Sequence, residues 1–153
     1  MRNADTPKYV VSPVIPPIVT LVLIVILDQL VPVPFLPRTV SLAAGIPLLV
    51  LGAGLWGWGV AGLLRRDESP NPQKATSQLV TDGPYRFSRN PIYTGGTVGL
   101  LGLALLLDTA AGVAVVVALG LLARNLTLAE ERYLEAKFGD EWQDYRSHVR
   151  RWI

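Results

Sequence analysis

Four stretches of this chain are long, apolar and almost free of charge, which sets the class of fold before any motif is considered. They run from Val14 to Val31, broken near the end by Asp28 and Gln29, from Val40 to Leu64, from Ile92 to Leu107, and from Ala110 to Ala129. A soluble domain of this size would distribute its apolar residues in amphipathic stripes, whereas a bilayer core of about 30 Å calls for runs of about 20 apolar residues. Composition agrees: 50% of the residues are hydrophobic and 17% charged, against about 25% charged in average soluble domains. The third block is short for a span, but only Asp108 and Thr109 separate it from the fourth. That is the length of a tight connection between antiparallel helices, so the two form a hairpin. The expected fold is all-α, a single domain over residues 1–153, built as an integral membrane bundle of about four transmembrane helices.

The basic residues orient it. Of the 14 Lys and Arg residues, all but Arg38 precede the first block, lie between the second and third, or fall at the end of the fourth and beyond. The positive-inside rule then places both termini and the 65–91 loop in the cytoplasm of a multi-pass protein. The first block is too long for the apolar region of a cleavable signal peptide, and no small-residue cleavage pattern follows it. Cysteine is absent, which excludes disulfides, thiolate metal sites and cysteine nucleophiles. A net charge of +2 and a pI near 9.2 are explained by basic residues beside membrane spans, where they also meet anionic headgroups. No groove-reading helix or aromatic RNA platform is present, so nucleic acid is not an expected partner, and membrane lipids are.

Polar chemistry is concentrated in two segments. The stretch Asp67 to Gln78, with Pro70 and Pro72, reads as an irregular loop. It leads into residues 79–96, where Tyr85, Arg86, Phe87, Arg89, Asn90, Pro91 and Tyr93 crowd the start of the third span. Asp82-Gly83-Pro84 signals a turn, and Asn90-Pro91 suits a helix start, with Asn as cap and Pro at the first helical position. On these grounds alone the aromatics are equally an interfacial belt and the arginines headgroup contacts. The second segment begins inside the fourth helix, where helical spacing puts Arg124, Thr127 and Glu131 on one side with Glu135 a turn further on. Glu130 and Glu131, being adjacent, point about 100° apart, so at most one or two of these acids face any pocket. The two segments bracket one hairpin and therefore meet at its mouth.

The run Gly83-Pro84-Tyr85-Arg86, Arg89-Asn90-Pro91-x-Tyr93-x-Gly95 is followed after the hairpin by a second motif. That motif comprises Glu130-Glu131, Leu134, Phe138-Gly139, Trp142, Tyr145, Val149 and Arg151-Trp152-Ile153. Together they resemble the isoprenylcysteine carboxyl methyltransferase family of membrane methyltransferases, whose relatives include the phospholipid N-methyltransferases. The resemblance covers residues 79–153. It implies S-adenosylmethionine as cofactor, bound at the hairpin mouth by Tyr85, Arg89, Asn90, Pro91, Tyr93, Gly95, Glu130 and Glu131, with Glu131 and Arg151 acting on the acceptor and no metal. That family usually carries histidine where Asn90 stands. An amide still donates and accepts hydrogen bonds but does not titrate, and the single histidine, His148, lies in the tail.

Methyl transfer from a sulfonium is an in-line displacement, which asks for alignment and dryness rather than a covalent intermediate. Carboxylates and aromatic faces suit a cationic donor. No Gly-x-Gly-x-x-Gly follows a strand; the glycines Gly95, Gly96, Gly99 and Gly102 lie in the third span, where small residues let helices approach closely. The bundle predicts a lipophilic acceptor. The resemblance favours carboxyl O-methylation of an isoprenylcysteine-like acid, with phospholipid amine methylation as the alternative enzyme and a non-catalytic membrane scaffold or carrier as the alternative of another class.

Overall fold

The computed structural model describes residues 15–31, 33–71 and 74–152. Val14, the basic residues Arg2 and Lys8, Pro72 and Ile153 lie outside them. The described residues form five α-helices: α1 (Ile15–Leu30), α2 (Arg38–Leu64), α3 (Pro91–Leu106), α4 (Ala110–Phe138) and α5 (Asp140–His148). α2 and α4 have apolar windows of mean hydropathy 1.8 and 1.9, of which only 17% and 33% is buried within the protein. A soluble core helix of that hydropathy would be mostly covered, so the uncovered surface fits lipid, and the fold is an all-α membrane bundle. α1 and α3, 16 residues each, are about 24 Å long and complete it.

The tightest pair is α2 with α3, and glycine makes it so. Gly45, Gly52 and Gly59 recur every seven residues on α2 and face the antiparallel α3, Gly45 against Gly102 and Leu106, Gly52 against Gly95 and Gly99, and Gly59 against Pro91 and Ile92. A Cβ on Gly52 would collide with the backbone of Gly99, and one on Gly95 with the backbone of Trp56. Lipid gives apolar helices no hydrophobic reason to associate, so close backbone packing carries the pairing. Gly52→Ala is therefore expected to destabilise the protein by about 1–3 kcal/mol, the usual cost of overpacking. Gly54→Ala, whose Cβ meets open space, should leave the unfolding midpoint in detergent unchanged. Equal midpoints for the two variants would refute the packing role.

At the end of the bundle remote from the loop, the hairpin turn is fastened to α2. Ser41 Oγ donates to the Leu105 carbonyl at 2.7 Å, and Arg38 Nη1 donates to the Leu106 carbonyl at 3.0 Å. The Leu106 carbonyl is one that α3 leaves open at its C-terminus, the Leu105 carbonyl also accepts from the Asp108 amide, and the cation complements the helix dipole there. Arg38, the one basic residue away from the others in sequence, thus has a structural use. Asp108, at φ 55°, accepts from the amides of Phe35 and Leu36 at 3.2 and 3.0 Å, and Thr109 caps α4 by accepting from the Gly112 amide.

α4 extends nine residues past the apolar block ending at Ala129, which carries the glutamates beyond the apolar stretch without a break. Gly139, at φ 50°, then turns the chain. Such a backbone suits glycine, and it lets α5 fold back so that Trp142 and Tyr145, three residues apart on one face, are buried.

Candidate functional site

The loop before α3, the end of α4, α5 and the last residues of the chain converge at one end of the bundle. Tyr145 Oη donates to the Tyr85 carbonyl at 2.6 Å, and Tyr85 Oη donates to the Gly59 carbonyl of α2 at 3.3 Å. Burial pushes both phenols above the ordinary tyrosine range, with Glu130 adding to the shift at Tyr85, so both stay protonated as donors. The tail runs back beside the start of α3. The Arg89 amide donates to the Arg150 carbonyl at 2.9 Å, and the Arg151 carbonyl accepts from Ser88 Oγ at 3.1 Å and Asn90 Nδ2 at 3.3 Å.

Beneath the tail lies an ion trio. Arg151 grips Glu131 with both edges of its fork, Nε to Oε1 at 2.9 Å and Nη2 to Oε2 at 2.7 Å. Arg89 Nη2 approaches the same carboxylate, 3.3 Å from Oε1. The Arg89 and Glu131 side chains are 7% and 9% exposed. Burial lowers the Arg89 pKa while Glu131 opposes the shift, and the hydrogen bonds to Glu131 raise that of Arg151.

A cavity of about 590 Å³ opens beside this trio. Its polar wall contains Tyr85, Arg89, Asn90, Tyr93, Glu130 and Trp142, and Tyr145 and Pro91 also line it. Its apolar wall comes from Pro17 and Ile18 of α1, Trp56, Val60 and Leu63 of α2, and Leu119 and Ala123 of α4. Glu68, buried, shapes the loop rim by accepting from the amides of Ser77 and Gln78 at 2.9 and 3.0 Å and from Ser77 Oγ. Volume and mixed lining are those of small-molecule sites. Several polar atoms around it are sealed from solvent without a regular hydrogen bond: Arg89 Nε and Nη1, Tyr93 Oη, Glu130 Oε2 and Trp142 Nε1. Tyr93 and Glu130 are close enough to interact, yet those two oxygens do not meet in good geometry. Buried polar groups are rarely left unpaired, and their concentration on one cavity wall is a mark of a ligand.

The sequence-derived site is thereby divided. Tyr85, Arg89, Asn90, Pro91, Tyr93 and Glu130 line the cavity; Gly95, Glu131 and Arg151 do not. Gly95 faces α2, and its neighbour Gly96 is the one at the wall. Glu131 is turned from Glu130 by the 100° step of the helix, toward the tail, and both its oxygens are committed to arginine. Asn90 both reaches the wall and holds the tail. Arg124, expected to share the face of Thr127 and Glu131, is exposed, so that face is covered only from Thr127 onward. Trp142 and Tyr145 were legible as motif residues but not as cavity walls. Their spacing of three on a short helix is the signal that places them together.

These features define an all-α membrane-associated protein with a cavity, lined on one side by charged residues, at one end of its bundle. The phospholipid methyltransferase family model matches residues 40–141, well over half of the chain, and the chain belongs to that family. An uncharacterized protein of Haemophilus influenzae is 62% identical over 24 residues, 16% of this chain. The match spans 38% of that curated relative's length. No solved structure matches.

Proposed function

We propose that this protein is an S-adenosylmethionine-dependent methyltransferase acting on a lipophilic acceptor at the membrane. The observation that carries the reading is the cavity wall of unpaired buried donors and acceptors of both charge signs, set opposite an apolar wall. The residues present fit the donor. A cationic sulfonium or ammonium suits Glu130 and the Tyr93 ring, ribose hydroxyls suit the tyrosine and asparagine side chains, and the apolar wall of α1, α2 and α4 suits a lipid chain. When bound, the sulfonium supplies a methyl group to a nucleophile in line with the breaking bond. The chain's own contribution is to hold both reactants aligned and to exclude water, which the tail and α5 do by closing the site on the side of the loop.

By its C-terminal motif, the acceptor is an isoprenylcysteine-like acid, methylated on its carboxylate. The family match and the availability of Glu130 as a base favour a second reading, methylation of a phospholipid amine, whose ammonium must first lose a proton. The arrangement of basic residues supports a multi-pass topology with both termini and the 65–91 loop in the cytoplasm, where a soluble donor reaches the cavity.

The test is binding of S-adenosylmethionine to the purified protein in detergent, followed by transfer of labelled methyl to prenylcysteine analogues and to phosphatidylethanolamine. A base-labile ester identifies carboxyl methylation and a stable product amine methylation. Failure of the parent protein to bind the donor would leave the scaffold or carrier reading.

A further inference from the structure

The turn before α3 faces two ways. Tyr85 and Ser88 are buried, and Tyr85 lines the cavity, whereas Arg86 and Phe87 between them are exposed, Phe87 by 58%. The turn packs on α2, where Gly62 meets the Tyr85 ring and Trp58 meets Gly83. Phe87 and Trp58 have ring centroids 6.2 Å apart, and the Arg86 guanidinium stands 5.5 Å from the Phe87 centroid. Trp58 is itself 46% exposed, and neither it nor Arg86 nor Phe87 lines the cavity.

Along α2 the same side is graded. Helical spacing puts Leu51, Leu55, Trp58, Gly62 and Arg65 in one stripe. Leu51 is 65% exposed, and the exposed Arg65 lies about 10 Å beyond Trp58 toward the loop. That is the order of a bilayer leaflet, hydrocarbon, then interface, then phosphate, with tryptophan at the level it favours. Among the described residues neither Arg65 nor Arg86 has a carboxylate partner, and Asp82, at the head of the turn, is taken by Arg66.

We propose that Trp58, Phe87, Arg65 and Arg86 form a docking site, outside the cavity, for an anionic phospholipid of the surrounding bilayer, and that the bound headgroup steadies the turn from which Tyr85 enters the cavity wall. A soluble acidic partner would match the arginines but not the apolar surface of Leu51, Trp58 and Phe87. A zwitterionic lipid brings its own cation to the arginines, whereas an anionic phospholipid satisfies both ends of the stripe. The site is independent of what the cavity binds.

The experiment titrates phosphatidylglycerol or phosphatidylcholine with brominated acyl chains into vesicles holding the full-length protein and reads the quenching of tryptophan fluorescence. Quenching is expected at about 10-fold lower mole fraction of the anionic lipid, the worth of two cations near its phosphate. Trp58→Phe should lose the selective quenching, and Arg65→Gln with Arg86→Gln should bring the two lipids together. Arg124→Gln with Arg132→Gln, which removes the same charge from exposed positions of α4, should leave the preference intact. Equal curves in the parent, selective quenching that survives Trp58→Phe, or an equal loss in the α4 double variant overturns the site. Relief of the quenching by soluble glycerol phosphate would assign the arginines to a free phosphate and overturn the lipid. Hydrogen exchange at the Phe87 and Ser88 amides, both bonded to the Pro84 carbonyl, should slow when phosphatidylglycerol is added, and unchanged exchange overturns the steadying of the turn.

Discussion

Glu131→Gln is expected to lower stability by about 3–5 kcal/mol, read as a fall in the unfolding midpoint in detergent, because it breaks a buried charge cluster from its centre. Among the described residues the glutamate is the sole anion between Arg89 and Arg151, and its removal leaves two guanidiniums facing each other, one of them almost wholly buried. The amide cannot accept from both forks at once, so donors lose partners as well as charge balance. The effect should extend to the chain terminus. The Arg151 fork and the carbonyls of Arg150 and Arg151 hold the tail against residues 88–90, and loosening one contact releases the others. Faster hydrogen exchange at the Arg89 amide would report that release. Arg151→Met should cost less, since that side chain is 26% exposed and its loss leaves Glu131 still paired with Arg89. A midpoint for Glu131→Gln within a degree of the parent would rule out a structural role for the trio.

The neighbouring substitution Glu130→Gln should behave in the opposite way. Glu130 Oε2 is sealed from solvent with no regular hydrogen bond, so the carboxylate is held at a cost that the folded chain does not recover. Neutralising it is expected to leave the unfolding midpoint unchanged or slightly higher. Under the proposed function, donor binding, by contrast, should weaken by about 100-fold, because a cationic ligand loses its counter-charge in a site of low dielectric. Tyr93→Phe should lose less, retaining the ring face while removing the hydroxyl. Isothermal titration alongside thermal unfolding separates the two effects. Glu130→Gln with donor affinity intact would move the cation-binding role elsewhere on the wall.

Much of this architecture is written in hydrophobic pattern. The second and fourth apolar blocks became α2 and α4, and Asp108-Thr109 became the hairpin turn, because block length and turn length are local properties that follow from helix rise and bilayer thickness. The two polar segments were bound to meet, since they bracket the same hairpin. The site residues were legible only by type. Tyr85, Arg89, Asn90, Pro91, Tyr93 and Glu130 line the cavity, but the same motifs supplied Gly95, Glu131 and Arg151, which do not. For Gly95 the competing demand was the approach of α2, and for Glu131 it was the second arginine arriving from twenty residues away. Nothing in the one-dimensional spacing distinguishes a glutamate that faces a ligand from one that faces a tail.

An all-helical chain with a lipid-fitting surface, the hairpin, and the gathering of charge and aromatic rings at one end of it were thus fixed by local pattern. These follow from composition and periodicity, which each residue carries with it. How the two adjacent glutamates divide, one to the cavity and one to the arginines, and which arginine keeps free donors emerge only in the folded chain. That division depends on the turn at Gly139 and on the return of the tail beside Arg89. It also depends on the 100° angular step that sends neighbouring side chains of one helix into different surroundings.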